Sequence, residues 1–128
     1  KVWEELGYYD SVRHSADTEF RHRLIRKYGN ALGHIDEPLY FSTWRKGSLT
    51  DAKETGFSHP SRRLYWFSMR AWQDKTESFY ISFPQKKRIF DVHKDMYISF
   101  EDQEKVRKAN PDTQSLYEWN GERLEIKS

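Results

Sequence analysis

The chain contains no cysteine, no long hydrophobic run and no strong excess of either charge. The lack of cysteine excludes disulfide bonds, thiolate zinc sites and a cysteine nucleophile. No apolar segment approaches the ~20 residues that a membrane-spanning helix requires, so we expect no membrane span. The formal net charge of +2 is too small to indicate a nucleic-acid-binding protein by itself. The five histidines show no spacing typical of zinc ligands, so no metal is expected.

What the chain does have is aromatic side chains. They make up 16% of its 128 residues, while all hydrophobic residues together reach only 36%. Each buried ring removes ~150–250 Å² from water, so a few rings can build much of a core. A chain of this length predicts one domain. We divide it into a helical N-terminal segment at residues 1–34 and a core at residues 35–128.

The clearest helix is predicted in the N-terminal segment. Ser15 or Asp17 can cap its start, and the helix is expected to end near Gly29. Phe20, Leu24 and Tyr28 repeat at four-residue intervals and form one apolar stripe. We therefore expect this stripe to face the core.

Several later segments have the aromatic and β-branched content of strands. They lie at residues 39–45, 64–67, 79–83, 88–92, 96–100, 116–119 and 123–126. The last two flank Asn120-Gly121, a turn typical of a hairpin, and 79–83 with 88–92 form a second predicted hairpin. Short helices are predicted at 49–55 and 69–78. The pattern predicts an α+β fold with a mostly antiparallel sheet.

The order of these segments resembles the ADP-ribosyltransferase toxins of the cholera and pertussis type. A strand ends in Trp44-Arg45, a short helix closes on Gly56-Phe57, and a second strand ends at Ser68. A hairpin over 79–92 then leads to the acidic run Glu101-Asp102-Gln103-Glu104. The resemblance covers residues 39–119. It implies a split β-sheet crossed by a site for NAD, the co-substrate.

The resemblance also implies roles for single residues. Arg45 would grip NAD, since a guanidinium can clamp a phosphate. Glu104 would stabilise the ribosyl cation as nicotinamide leaves. Ser68 would brace the site, although it stands alone where the family has a Ser-Thr-Ser run. Asp102 would present the acceptor. The rings that could stack on nicotinamide or adenine are those of Trp44, Trp66, Trp72 and Tyr97, of which Trp44 and Trp72 are assigned to NAD binding.

The implied function is transfer of ADP-ribose from NAD to a macromolecular acceptor, with protein arginine as first choice and nucleic acid as another. The same resemblance implies a secreted or delivered bacterial effector that acts in a target-cell cytoplasm and has a cognate immunity protein. Ordinary structural roles stay open for each residue. They are a solvated acidic face for 101–104, core packing for the tryptophans, a surface ion pair for Arg45 and helix capping for Ser68.

Two other functions remain open. A metal-free ribonuclease needs a histidine, a carboxylate and cationic side chains around one phosphate. The sequence offers His93 after Lys86-Lys87-Arg88, and His59 before Arg62-Arg63. These basic and aromatic clusters also fit single-stranded nucleic-acid binding. The remaining alternative is a non-catalytic interaction domain, which the high aromatic content also suits.

Overall fold

A computed structural model describes residues 1–54 and 56–109 in full and, beyond them, the backbone of 117–119 and 124–126. Within these residues the regular structure consists of four α-helices and one short hairpin. The helices are α1 (Val2–Leu6), α2 (Ala16–Tyr28), α3 (Pro60–Lys75) and α4 (Phe100–Ala109). A single 3₁₀ turn, Gly29–Ala31, extends α2. The hairpin strands are β1 (Tyr117–Trp119) and β2 (Leu124–Ile126).

The predicted split β-sheet is wrong, and the α+β fold with it. Residues 1–54 and 56–109 contain no strand, only isolated bridges that join Gly7 to Ile81 and Val12 to Tyr97. The strands predicted on either side of Asn120-Gly121 are confirmed as an antiparallel pair, with Glu118 opposite Glu125, while the turn itself lies outside the described residues. The described part of the chain is therefore helical, with long irregular connections.

The helix α3 shows why the strand predictions failed. It runs without interruption through residues 64–67, which we expected to be a strand. Pro60 occupies its first turn, and the side chain of His59 caps it by accepting a hydrogen bond from the Ser61 N–H. Tyr65, Met69 and Gln73 are buried at four-residue intervals. This helical spacing of buried positions outweighs the aromatic content. Strand propensity mainly reflects how a side chain packs in a sheet, and residues 1–54 and 56–109 form no sheet.

The helix α2 was predicted correctly in extent but not in orientation. It starts after Ser15 and ends at Tyr28. The side chains of Glu19 and Arg23 are wholly buried, whereas the expected stripe of Phe20, Leu24 and Tyr28 is only half-buried. A charged pair therefore takes the core-facing position. Arg23 and Gln73 contact Glu19 Oε1, whereas Glu19 Oε2 is buried without a hydrogen-bond partner among the described residues.

Arg23 makes the central set of contacts in the fold. Its Nε donates to Glu19 Oε1 at 2.6 Å. Its two other nitrogens donate to backbone carbonyls of Leu6, Tyr8 and Phe79. One guanidinium thus joins α2 to the segment after α1 and to the segment that follows α3. Burial raises the pKa of Glu19, and the Arg23 charge opposes that rise.

The two segments held by Arg23 also bond to each other. The Tyr8 N–H donates to the Ile81 carbonyl at 2.9 Å, and the Ile81 N–H donates to the Leu6 carbonyl at 3.0 Å. Gly7, between them, has a φ of 69° and faces the Ile81 carbonyl so closely that a Cβ would collide with it. Only glycine meets both conditions without strain.

A second polar network surrounds Asp10. This carboxylate accepts hydrogen bonds from the Arg88 guanidinium, from Gln85 Nε2 at 3.0 Å and from the Tyr65 hydroxyl at 2.8 Å. Burial alone would raise the pKa of Asp10. The hydrogen bonds and charge of Arg88 outweigh burial and hold that pKa below its usual 3.8.

The helix α4 is attached through one buried amide, the side chain of Gln103. Its oxygen accepts from the Ser11 hydroxyl at 3.0 Å and from the Gln85 N–H at 2.7 Å. Its nitrogen donates to the Ile98 carbonyl at 2.8 Å and to the Tyr97 hydroxyl at 3.1 Å. Buried polar side chains thus hold three helices in place. In the described residues the fully buried apolar side chains are Leu6, Val12, Tyr65, Met69, Ile81 and Met96.

We predict that Arg23→Ala lowers the free energy of unfolding by about 3–5 kcal/mol, since it leaves a buried carboxylate without its cation. The matched control is Arg21→Ala, two residues earlier on the exposed side of α2, which should change it by less than ~0.5 kcal/mol. Urea unfolding followed by circular dichroism measures both. Equal effects in the two variants would contradict the central role of Arg23.

Candidate nucleic-acid interface

Helices α2 and α3 lie side by side and run in the same direction. At their starts, Arg62 Nη1 donates to the hydroxyl of Ser15 at 3.2 Å. At their ends, Arg26 Nη2 contacts Asp74 Oδ1 at 2.6 Å. Between these contacts, Gln73 Nε2 donates to Glu19 Oε1 at 3.1 Å on the buried side. The exposed surface along this helix contact, from Ser15 and Arg62 at one end to Arg26 and Asp74 at the other, is called the seam.

The exposed side of α3 carries arginines that lie over aromatic rings. Arg62, Trp66 and Arg70 follow each other at four-residue intervals and so lie in one row. The guanidinium carbon lies 5.1 Å from the ring centroid for Arg62 over Phe57, 5.7 Å for Arg63 over Phe67, and 4.9 Å for Arg70 over Trp66. Phe57, Trp66 and Phe67 all remain exposed. The seam thus has cations and flat apolar surfaces in alternation.

A cleft of about 270 Å³ opens at the start of this row. Its walls combine arginines, aromatic rings and hydroxyl groups: Ser15, Thr18, Phe57, Arg62, Arg63, Tyr65, Trp66 and Met69. No acidic side chain lines it. Such a lining suits an anion that also carries a flat ring, because the cations and the rings can bind different parts of one ligand.

A cluster of two histidines and two serines borders the cleft. The Ser61 hydroxyl lies 2.7 Å from His59 Nδ1 and 3.1 Å from His14 Nε2. The other ring nitrogen of His14 lies 3.1 Å from the hydroxyl of Ser15, to which Arg62 donates. His14 precedes α2 and His59 precedes α3, so the parallel packing of the two helices brings the cluster together.

The donors in this cluster fix the positions of its protons. The Ser61 N–H donates to His59 Nδ1 at 3.2 Å, so this nitrogen carries no proton. The Ser61 hydroxyl must therefore donate to His59 as well. Its one hydrogen is then used, and the contact with His14 requires that His14 Nε2 is the donor. A neutral His14 finally accepts from Ser15 through Nδ1.

The charges nearby favour neutral histidines on this side of the molecule. Burial lowers the pKa of His14 below 6.5, and the charge of Arg62 and the neighbouring His59 lower it further. Burial likewise lowers the pKa of His22 on α2, with Arg70, Arg21 and Arg26 adding to the effect. Arg62 and Arg70 thus place positive charge beside these histidines, while Asp17 lies near Arg62 and Asp74 pairs with Arg26 at the ends of the seam.

The residues predicted for an NAD site lie in three separate places. Arg45 and Trp44 belong to the irregular segment between α2 and α3, where the Trp44 side chain is 71% exposed. Ser68 and Trp72 lie on α3 and share an open cleft of about 480 Å³ with Lys75 and Phe90. Trp72 stacks on Phe90 there, with ring centroids 5.5 Å apart. Arg45 and Trp44 do not line this cleft.

The predicted acidic residues lie on α4. Glu104 pairs with Arg107, three residues later, at 2.9 Å and 3.1 Å, and the Arg107 hydrogen bonds lower the pKa of Glu104. Asp102 pairs with Lys105 at 3.2 Å. Hydrogen bonds with Lys105 and Ser99 lower the pKa of Asp102. Both are exposed ion pairs within one helix. The structure therefore brings together Ser68 and Trp72, but not Arg45, Asp102 or Glu104, and the transferase site stays a prediction.

The two clusters proposed for a ribonuclease differ in the structure. His93 lies near Asp95, with Nδ1 and Oδ2 3.5 Å apart, while Arg88 is committed to Asp10. His59 and Arg62 do lie together, and they gain His14 and Ser61 as neighbours. These two partners could not be predicted as a pair from local sequence, because His14 is 47 residues away from Ser61.

Comparisons of the chain with protein families, with curated proteins and with solved structures found no match. Within the described residues, no group of three or more acidic or histidine side chains is placed to hold a metal ion. None of the helices α1–α4 has the length and apolar character needed to cross a membrane.

We predict that both His14 and His59 carry their proton on Nε2 at pH 7. Two-bond ¹⁵N–¹H NMR spectra of the imidazoles identify the protonated nitrogen directly. His14 should also titrate with a midpoint below 6.5, because burial and Arg62 disfavour its charged form. A proton on His59 Nδ1 would reverse the direction of the Ser61 hydroxyl and contradict the assigned network.

Proposed function

We propose that the protein binds single-stranded nucleic acid along the seam between α2 and α3. The observation that carries this proposal is the row of arginines over exposed aromatic rings on α3. Proteins that bind single strands combine cations for the phosphates with rings on which bases stack. Both components occur here on one helix face and continue into the cleft at its start.

The arginine–ring contacts are arranged so that both partners can bind ligand. A guanidinium that lies over a ring is held in place, yet its N–H groups point outward in its own plane and stay available for phosphate oxygens. Trp66 is still 36% exposed beside Arg70, so part of the ring can receive a base. Arg70 is eight positions after Arg62, which places the two about 12 Å apart along the helix, with Trp66 between them.

The arginines of the seam also have few acidic neighbours. Among the described residues, Arg63 and Arg70 take part in no ion pair, while Arg26 is paired with Asp74. A cation without an internal counterion attracts an external anion more strongly. Exposed rings next to such cations favour unpaired bases over a duplex, because the bases of a duplex are already stacked. They also favour a nucleic-acid strand over an acidic protein, because an acidic protein offers charge without flat rings.

The transferase hypothesis has weaker support. Its fold prediction is wrong, and Arg45, Ser68 and Glu104 lie on three different segments. Ser68 and Trp72 in the cleft beside Lys75 are the contacts that favour it.

We predict that a fluorescent 12-nucleotide single strand binds more tightly than the corresponding duplex, as measured by fluorescence anisotropy. Trp66→Leu removes a stacking surface while it keeps an apolar side chain, and it should weaken binding about 5- to 150-fold, since one stacked base contributes ~1–3 kcal/mol. Arg70→Gln removes one phosphate contact and should reduce the slope of log K against log salt by about 0.7.

The matched control for the charge change is Arg107→Gln on α4, which should leave both affinity and salt slope unchanged. Three results would contradict the proposal: equal losses from Arg70→Gln and Arg107→Gln, a preference for duplex, or equally tight binding of a poly-glutamate peptide. The last result would indicate an acidic protein as the partner.

The transferase hypothesis predicts that the protein releases nicotinamide from NAD and that Glu104→Ala abolishes the release. Because Glu104 makes only an exposed ion pair with Arg107, this variant should keep its thermal melting temperature within a few degrees. Nicotinamide release is measured by chromatography, with cell lysate as a source of acceptor. Release that persists in Glu104→Ala would exclude Glu104 as the catalytic residue.

A further inference from the structure

The cluster at the start of α3 has an arrangement that strand binding alone does not require. We infer that Ser61 is a nucleophile, with His59 as its general base, for the metal-free hydrolysis of a phosphodiester bound at the seam. This inference rests on the proposed function for its substrate class, which is a single-stranded nucleic acid. It assigns an activity to residues in and just before the first turn of α3, next to Arg62, which lines the cleft.

The first argument is the direction of the Ser61 proton. Hydrogen bonding fixes His59 Nδ1 as an acceptor, and the Ser61 hydroxyl donates to it over 2.7 Å. A hydroxyl within this distance of an unprotonated imidazole nitrogen is the arrangement by which a serine is activated for attack. The Nε2–H of His14 donates to the same oxygen at 3.1 Å and holds it in place.

The second argument is the position of the cluster relative to the anion-binding residues. Arg62 follows Ser61 directly, lines the cleft and donates to Ser15, which in turn contacts His14. A phosphate held by Arg62 in the cleft is therefore one residue along α3 from Ser61, which does not itself line the cleft. Ser61 is 8% exposed and His14 6%, so their interactions are little screened by water.

The reaction has two steps that balance without a metal or a redox partner. In the first, Ser61 Oγ attacks phosphorus and gives its proton to His59 Nδ1. The bond from phosphorus to the leaving oxygen breaks, and that oxygen takes the proton from His59. In the second, water attacks the phosphoserine and gives a proton to His59. The bond from phosphorus to Ser61 breaks, and Ser61 recovers the proton. The net change is hydrolysis of a phosphodiester to a phosphomonoester and an alcohol.

The experiment separates this activity from the ordinary capping role of His59. The variant His59→Asn keeps a strong helix cap, because asparagine is among the best residues at that position, but it removes the base. Ser61→Ala removes the nucleophile, and Ser58→Ala is the control for loss of an exposed hydroxyl in the same loop. Circular dichroism melts confirm that each variant is folded.

The first readout is covalent labelling of Ser61 by a small alkyl fluorophosphonate, located by mass spectrometry of the tryptic peptides. Wild type and Ser58→Ala should be labelled at Ser61, and His59→Asn should be labelled about 100-fold more slowly or less. The second readout is cleavage of a 12-nucleotide RNA and of the same DNA sequence. Both should be cut, because attack by Ser61 does not use the ribose 2′-hydroxyl.

Different outcomes bear on the two proposals separately. Intact oligonucleotide binding with no Ser61 labelling and no cleavage would overturn the nucleophile and leave the binding function standing. Cleavage of RNA alone, with 2′,3′-cyclic phosphate ends, would also overturn Ser61 as nucleophile. Equal labelling rates in wild type and His59→Asn would show that His59 is only a cap. Labelling without any oligonucleotide binding would contradict the proposed function and the nucleic-acid substrate with it.

Discussion

The buried guanidinium of Arg23 is the interaction on which the rest of the structure depends. It lies among the carboxylate of Glu19 and the carbonyls of Leu6, Tyr8 and Phe79, so it joins α2 to two distant parts of the chain. A buried charge is tolerated only when nearly all of its donors are satisfied. The contacts of Arg23 must therefore form together, and they determine which side of α2 faces inward.

This orientation has a direct consequence for the surface. With Glu19 and Arg23 inward, α2 bonds to Gln73 and packs alongside α3, whose own inward residues are Tyr65 and Met69. The arginines and rings of α3 are then left on the outside. The same packing brings the residues that precede each helix, His14 and His59, to one hydroxyl group. The candidate site is thus a result of how the polar core is satisfied.

Some of this could be read from the sequence. The extent of α2 was predicted correctly, although the Ser15 side chain makes no capping hydrogen bond and Gly29 stays right-handed. The pairing of β1 with β2 was predicted from Asn120-Gly121, which is a local signal. The burial of Arg23 could not be predicted, since its carbonyl partners are 15 to 56 residues away. The strand predictions failed because aromatic content was weighed without the four-residue spacing that defines α3. For the site, His59 and Arg62 were found by their proximity in sequence, whereas His14 and Ser61 were found only through the fold.

The central claim is that the seam between α2 and α3 binds single strands, and NMR mapping of a bound strand tests it most directly. Titration of the ¹⁵N-labelled protein with a 12-nucleotide single strand should shift the backbone amides of α2 and α3 and the side-chain signals of Arg62, Trp66 and Arg70. Signals from α4 should stay in place, as should those of Trp3 and Tyr8, two exposed rings outside the seam whose centroids lie 6.4 Å apart. Shifts confined to those other surfaces, with none along the seam, would contradict the account.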